Sequence, residues 1–270
     1  MINLTGFFRI VAIAAAAIAT TATQTAAVAG TFHWGDLAGS NVMFLDVTEN
    51  NNEATSLFAP APGVGGPIVS GNSLHLDPQG FASQAENNTA DLIDSTLSTT
   101  IMAAPGASIA DLTITELGDY SLGGLMGSQA TAQVGAAFFW TVLEVDNSPI
   151  SLSTQATNLI LGTGAGPNGG VYNRPVDDGT AVIWNGVAQI DLNSYLDSQN
   201  IDGNVTKVRL TFDNTLQTSA EAGSTAFIKK KSVDIVVNPN DNTNPTVPEP
   251  TSAALVGMAI SLAVCKRRRG

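Results

Sequence analysis

Lys207-Val208-Arg209-Leu210-Thr211-Phe212-Asp213 alternates apolar and polar side chains without a break. Alternation with a period of two is typical of a β-strand that buries one face. Four more stretches are rich in apolar and β-favouring residues: Asn41 to Thr48, Ser108 to Leu117, Gln133 to Val145 and Thr225 to Val237. Gly, Asn, Asp and Pro clusters separate them and favour turns. The sequence therefore predicts an all-β fold, a β-sandwich or jelly roll.

The stretch from Gln133 to Val145 is the most apolar of these, and we expect it to be a central strand. Helical spacing is found at two short segments, Asp191 to Ser198 and the region of Asp91 to Leu97. Ala59 to Pro67, with three prolines and three glycines, predicts a surface loop inside the domain. A body of about 215 residues suits one β domain.

The charged residues are unevenly distributed along the chain. No lysine or arginine occurs from Gly30 to Asn173, and the span from Gly30 to Thr246 holds six basic against 22 acidic residues, a net charge of −16. A carboxylate in the first stretch must face water, accept hydrogen bonds from neutral donors, pair with a distant cation or bind a metal. Phosphate binding needs the opposite sign of charge, so the composition excludes nucleic acid as a partner.

Calcium is the only cofactor that the residues suggest. Acidic glycine turns occur at Asp77-Pro78-Gln79-Gly80, Asp177-Asp178-Gly179 and Asp202-Gly203-Asn204. None matches the twelve-residue EF-hand loop, and aspartate is also a common turn former. Both interpretations stay open, with the turn role favoured.

The residues for catalysis are sparse. The chain has two histidines, His33 and His75, and we expect His33 to be partly exposed and structural and His75 to face outward from a strand. The body contains no cysteine and no Gly-x-Ser-x-Gly elbow, and the glycine run from Gly162 to Gly170 lacks the lysine of a phosphate-binding loop. The sequence therefore predicts that the protein is not an enzyme.

Two alternatives remain open beside that prediction. Acidic pairs such as Asp177 with Asp178, or Glu144 with Asp146, would suit a glycoside hydrolase if two carboxylates faced each other across a groove. Exposed aromatic rings would suit a carbohydrate-binding or calcium-dependent adhesive module. Trp184 and Tyr172 lie near Gly-Asn turns and are expected to be exposed, whereas Trp140 is expected in the core.

The C-terminus carries the most specific pattern. Val247-Pro248-Glu249-Pro250 precedes an uncharged apolar stretch from Thr251 to Cys265, and Lys266, Arg267, Arg268 and Arg269 follow. Fifteen helical residues reach roughly 22 Å, which is less than a hydrocarbon core of about 30 Å. The basic cluster favours a cytoplasmic C-terminus and a body outside the membrane. A rather short permanent membrane anchor is the alternative interpretation.

This order of motif, apolar stretch and basic end resembles the sorting signal of the PEP-CTERM proteins. The resemblance covers residues 248–270, about a tenth of the chain, and implies transient anchoring and cutting by an exosortase-type membrane protease. It further implies a noncatalytic surface or matrix protein, in an exopolysaccharide or biofilm context. Short motifs in the body, among them Gly71-Asn72-Ser73-Leu74 and Glu116-Leu117-Gly118-Asp119-Tyr120, resemble uncharacterised extracellular β domains of the same group.

The N-terminus predicts export as well. Arg9 precedes an apolar stretch, and Ala27-Val28-Ala29 fits the small-x-small rule of signal peptidase. We expect a signal peptide over residues 1–29, a β-sandwich over 30–237, a flexible linker over 238–247 and the sorting signal over 248–270. The mature domain is then expected in the periplasm, at the cell surface or outside the cell.

Overall fold

The computed structural model describes residues 29–162 and 170–240, which form an all-β structure. In chain order the elements are β1 Gly30–Ala38, β2 Val42–Asn51, β3 Ile68–Ser70, β4 Ser73–Leu76, β5 Ala82–Glu86, β6 Thr89–Ala103, β7 Ile109–Gly124, β8 Ala130–Val145, β9 Ser148–Pro149, β10 Gln155–Asn158, β11 Ile160–Leu161, β12 Val171–Asn173, β13 Gly179–Asp191, α1 Leu192–Ser198, β14 Val205–Ala220 and β15 Ser224–Pro239.

The long strands form two antiparallel layers. Sheet I has the order β1, β2, β6, β14, β8, and the short strands β9, β10 and β12 pair with β8. Sheet II has the order β11, β13, β7, β15, and β5 and the β4–β3 pair lie along the other side of β15. A pairing between Val205 and Ile109 connects the two layers. The predicted all-β sandwich is confirmed.

The alternating stretches lie in strands as predicted. They correspond to β2, β7, β8, β14 and β15, with Asn41 and Ser108 each one residue before the strand, and β8 is flanked by strands on both edges, as expected for its apolar sequence. The helix predicted from Asp191 is confirmed as α1.

The second predicted helix, Asp91 to Leu97, is wrong because these residues belong to β6. Leu97 pairs with Phe212 of β14 and is fully buried, and the inward positions of β6 recur every second residue. Long-range pairing with β14 thus overrides a weak helical spacing.

The core lies between the two sheets and is built from the alternate residues that face inward. On β14 these include Val208, Leu210 and Phe212, all fully buried. The ring of Phe58 meets Phe212 edge-on at a centroid distance of 5.1 Å and an interplanar angle of 79°. Phe58 therefore anchors the connection between β2 and β3 in the core. Ala59, the first residue of the predicted surface loop, is also buried, whereas residues 62–65 are exposed.

The body ends slightly later in the chain than predicted. β15 runs to Pro239, and the amide N–H of Asn240 donates to the carbonyl of Ser108 at 3.2 Å. Residues 238–240 of the predicted linker therefore belong to the body. The rest of that linker, the predicted sorting signal at 248–270 and the signal peptide with Ala27 of its cleavage site lie outside the described residues. Among the described residues, the helix present is too short to cross a bilayer.

Replacement of Phe212 by alanine tests the position of the core. Phe212→Ala leaves a cavity next to Phe58 and Phe138, and we expect it to lower the free energy of unfolding by about 3–5 kcal/mol. Gln217→Ala, on the exposed face of the same strand, should change it by less than about 0.5 kcal/mol. Urea denaturation of both variants measures this, and equal losses would contradict the assigned inward face.

Candidate functional site

A polar groove crosses one end of the sandwich. It consists of three hollows of about 510, 520 and 290 Å³, which share residues at their borders. Its walls come from the loops after β6 and β8, from the start of β7, the end of β13, α1 and the end of β15. The side chains that define it are mostly amides and carboxylates: Asp111, Asp146, Asp191, Asn193, Asn204 and Asn240. Within the described residues its lining contains no lysine or arginine.

The floor of the polar groove is a chain of asparagine side chains. Asn193 donates through Nδ2 to Oδ1 of Asn240 at 2.7 Å, and Asn240 donates to Oδ1 of Asn204 at 3.0 Å. The backbone N–H of Asn204 donates to Oδ1 of Asp146 at 3.1 Å. These bonds fasten the end of β15 to α1 and to the turn before β14. The groove is therefore preformed by its own hydrogen bonds.

Asp191 forms one rim of the groove and caps α1. Its Oδ1 accepts from the N–H of Ser194 at 2.9 Å and its Oδ2 from the Ser194 hydroxyl at 2.7 Å. These two bonds, the backbone one first, lower the pKa of Asp191 below its ordinary value. A general acid needs the opposite shift. Asp191 is therefore suited to hold the helix and to accept hydrogen bonds.

The acidic pairs considered in the sequence are occupied by structural contacts. Glu144 binds Nζ of Lys207 at 2.5 Å, and Asp146 accepts from Asn204. Asp178 forms two hydrogen bonds with Arg174, at 2.5 and 3.1 Å, and Asp177 accepts from the N–H of Asn173 at 2.7 Å. The hydrogen bond that Arg174 donates to Asp178 raises the pKa of Arg174. Neither pair forms two open carboxylates across a cleft.

The possible calcium turns are not gathered into one site. Asp77 accepts from Nε2 of Gln79 at 2.8 Å within its own turn, and Asp177 and Asp178 are engaged as described above. Of the described residues, no three His, Cys, Asp or Glu side chains are grouped closely enough to hold a metal ion. The structure thus provides local turn roles for Asp77, Asp177 and Asp178.

The two histidines lie on strands. His75, on β4, faces away from the buried Leu74 and Leu76, as predicted, and its Nδ1 lies 2.6 Å from Oδ1 of Asp234. The hydroxyl of Ser232 donates to the other oxygen of Asp234 at 3.0 Å. This serine therefore bonds the carboxylate and not the imidazole of His75. His33, on β1, contacts the Thr48 hydroxyl, and its side chain is 64% exposed. We assign both histidines structural contacts.

The expectation that Trp184 and Tyr172 are exposed is wrong. Their exposed fractions are 3% and 2%. Trp184 faces inward from β13 and packs over Gly118, where an added Cβ would lie 2.4 Å from the indole ring. Tyr172 stacks on Tyr120 at a centroid distance of 4.0 Å, and burial raises the pKa of Tyr172 to about 12. Trp140 is buried, as predicted.

A buried polar centre, formed by Lys230, Glu116 and Asn214, was not predicted from the sequence. All three side chains lie in the core, and Nζ of Lys230 contacts Oε2 of Glu116 and Oδ1 of Asn214. The rings of Phe81 and Trp184 have their centroids 5.5 and 5.6 Å from the same nitrogen. Burial lowers the pKa of Lys230, although the nearby Glu116 opposes the shift.

Comparisons with known proteins place the chain in no family. No protein family matches it, and no curated protein does. Among solved structures, it is similar to the family 11 xylanase from Neocallimastix patriciarum, with 8% identity over 78% of this chain and 100% of the xylanase, at a TM-score of 0.20. It is also similar to endoglucanase 3 of Trichoderma harzianum, from family GH12, with 12% identity over 78% of this chain and 98% of that one, at a TM-score of 0.18. At these TM-scores the similarities carry no argument about function.

Removal of the Asp191 side chain tests whether this N-cap holds α1 in place at the groove. Asp191→Ala should destabilise the protein by about 1 kcal/mol at neutral pH, because two hydrogen bonds to Ser194 are lost. The folded pKa of Asp191 lies below the unfolded value, so this contribution is present at neutral pH and is lost as the pH falls through the folded pKa. Denaturation from pH 7 to pH 3 measures the difference.

The matched control is Asp191→Asn, which keeps a side-chain acceptor for the Ser194 N–H. We expect it to retain most of the stability at neutral pH and to remove the pH dependence. If Asp191→Ala were as stable as the wild type at pH 7, the cap would have no part in shaping the groove.

Proposed function

We propose that the chain is an exported, noncatalytic surface or matrix protein that is sorted and cut through its C-terminal signal. The observation that carries the proposal is the sequence of the tail, in which Val247-Pro248-Glu249-Pro250 is followed by the apolar stretch and then by the basic cluster from Lys266 to Arg269. The basic cluster holds the C-terminus in the cytoplasm while the body lies on the other side. Signal peptidase and an exosortase-type protease are the processing partners in this proposal.

The end of the body supports this arrangement. β15 is paired with β7 as far as Pro239, and Asn240 is fixed by Asn193 and Asn204. Six residues, 241–246, then separate the body from Val247. A protease at the membrane surface would therefore reach the Pro-Glu-Pro motif without opening the sandwich.

The contacts that the carboxylates make support a noncatalytic body. A retaining or inverting glycoside hydrolase needs two carboxyl groups on either side of the scissile bond, one of them protonated. Here Glu144 and Asp178 are paired with cations, and Asp191 has a lowered pKa. These three carboxylates bind neighbouring groups of the fold.

Carbohydrate binding is a second candidate function, and the polar groove favours it. Amides can donate and accept hydrogen bonds, and carboxylates accept them, so the lining suits the hydroxyl groups of a sugar. The groove has four acidic side chains and, within the described residues, no cation. We therefore propose a neutral polysaccharide as the ligand class, since an anionic one would be repelled.

Mass spectrometry of the mature protein from its native cell tests the processing. We expect an N-terminus at Gly30, after Ala29, and a C-terminus at or near the Pro248-Glu249-Pro250 motif. Both ends should be found in the same intact species. A membrane-resident protein that still carries Arg269 would contradict the sorting proposal, as would a folded cytosolic pool with its first residues intact.

Co-sedimentation with a neutral glucan or xylan tests whether the polar groove binds polysaccharide. We expect Asn193→Ala combined with Asn204→Ala to weaken co-sedimentation with the polysaccharide at least tenfold, because the floor of the groove loses two amides. Gln217→Ala, on the exposed face of β14, is the control and should bind like the wild type. Release of reducing ends from xylan or xyloglucan by the wild type would overturn the noncatalytic proposal.

A further inference from the structure

Three strands from both layers bring the members of the buried polar centre together. Lys230 lies on β15 and Glu116 on β7, which are neighbours in sheet II, whereas Asn214 lies on β14 in sheet I. Lys230 and Asn214 are each completely buried, and the Glu116 side chain is as well. The contact between Lys230 and Asn214 therefore crosses the core from one sheet to the other.

The centre combines a nucleophile, an electrophile and a proton acceptor. Nζ of Lys230 contacts Oδ1 of Asn214, so the amide carbon Cγ is one covalent bond from an atom that the amine touches. A reacting pair held in this way has already lost most of its translational freedom. Glu116 contacts the same amine and can take its proton.

The surroundings favour the neutral amine that such an attack requires. Lys230 is completely buried, and this burial lowers the pKa of its amine. Desolvated lysines are nucleophiles at neutral pH for this reason. The Glu116 side chain is equally buried, so the amine and the carboxylate meet away from water.

Two atoms of the centre have no hydrogen-bond partner within the described residues: Nδ2 of Asn214 and Oε1 of Glu116. A buried polar atom without a partner is costly and calls for an explanation. Nδ2 is the atom that leaves when an amine displaces the amide nitrogen of asparagine. Oε1 belongs to the carboxylate that would carry protons to it.

We propose that Lys230 and Asn214 join in an intramolecular amide bond between Nζ and Cγ, with Glu116 as the proton carrier and ammonia as the leaving group. The crosslink covalently connects sheet I to sheet II in the centre of the core. It is a modification of the folded protein by its own side chains, and it goes beyond the proposed surface function.

The reaction balances without an oxidant or a cofactor. The Lys230 ammonium passes one proton to Glu116, and the neutral nitrogen then bonds to Cγ, whose π electrons move to Oδ1. Nζ of Lys230 then loses a second proton. Glu116 carries both protons to Nδ2 of Asn214. The bond from Cγ to Nδ2 breaks as the carbonyl re-forms. The products are a secondary amide, an ammonium ion and the original Glu116 carboxylate.

Intact-mass measurement of the denatured wild-type chain is the first test and needs no variant. We expect each molecule to be lighter than its sequence by one ammonia. Trypsin cuts after Arg209, Lys229 and Lys231 but not after an acylated Lys230. The peptide Leu210–Lys229, which contains Asn214, should therefore be recovered joined to Lys230-Lys231. Full mass and a free Leu210–Lys229 peptide from folded protein would overturn the proposal.

Variants then assign the roles. Asn214→Ala removes the electrophile and Glu116→Gln removes the proton carrier, and both should give the full mass and the free Leu210–Lys229 peptide. Lys231→Arg is the matched control, because Lys231 pairs with Asp119 outside the centre, and this variant should still lose ammonia. A crosslink that persists in Glu116→Gln would overturn the role of Glu116, and loss of ammonia in Asn214→Ala would overturn the assigned site.

Discussion

The contact of Lys230 with Glu116 and Asn214 in the centre of the core is the interaction on which the packing of the two sheets depends. An unpaired ammonium in this position would cost several kcal/mol, so the sheets must align where Glu116 and Asn214 both reach it. A bulge between Lys230 and Ser232 makes this possible. It turns Lys230 inward and still lets Val233, Ile235 and Val237 face the core on the same strand.

The distribution of charge along the chain makes the earlier strands dependent on the last ones. Glu116, Asp119 and Glu144 precede every cation of the body, and they pair with Lys230, Lys231 and Lys207 of β14 and β15. Glu49 is bonded by neutral donors, which the sequence also allows. It is fully buried and accepts hydrogen bonds from neutral donors, among them the hydroxyls of Ser56 and Ser95. Glu116 and Asp119, by contrast, gain their cations only when β15 joins β7.

The sequence predicts the fold well where alternation is unbroken, as in Lys207 to Asp213, since one face of each strand must be apolar. It fails where an inward position carries an unexpected residue. Lys229-Lys230-Lys231 is typical of a solvated charge run, and only the pairing with β7 shows that the middle lysine is buried. Trp184 is misassigned for a similar reason, because its proximity to a Gly-Asn turn says nothing about the space above Gly118. The polar groove joins residues from distant segments, so no local motif predicts it.

A covalent connection through Lys230 would suit a body that contains no cysteine. Cys265 lies within the predicted sorting signal, so the domain itself cannot form a disulfide. An amide made from side chains already in contact needs neither an oxidant nor a partner enzyme, and it forms only after β7, β14 and β15 have assembled. It would therefore hold the two sheets together in the folded sandwich and leave the polar groove and the C-terminal segment unchanged. The proposed processing at the Pro-Glu-Pro motif and the proposed crosslink in the core would therefore be independent of each other.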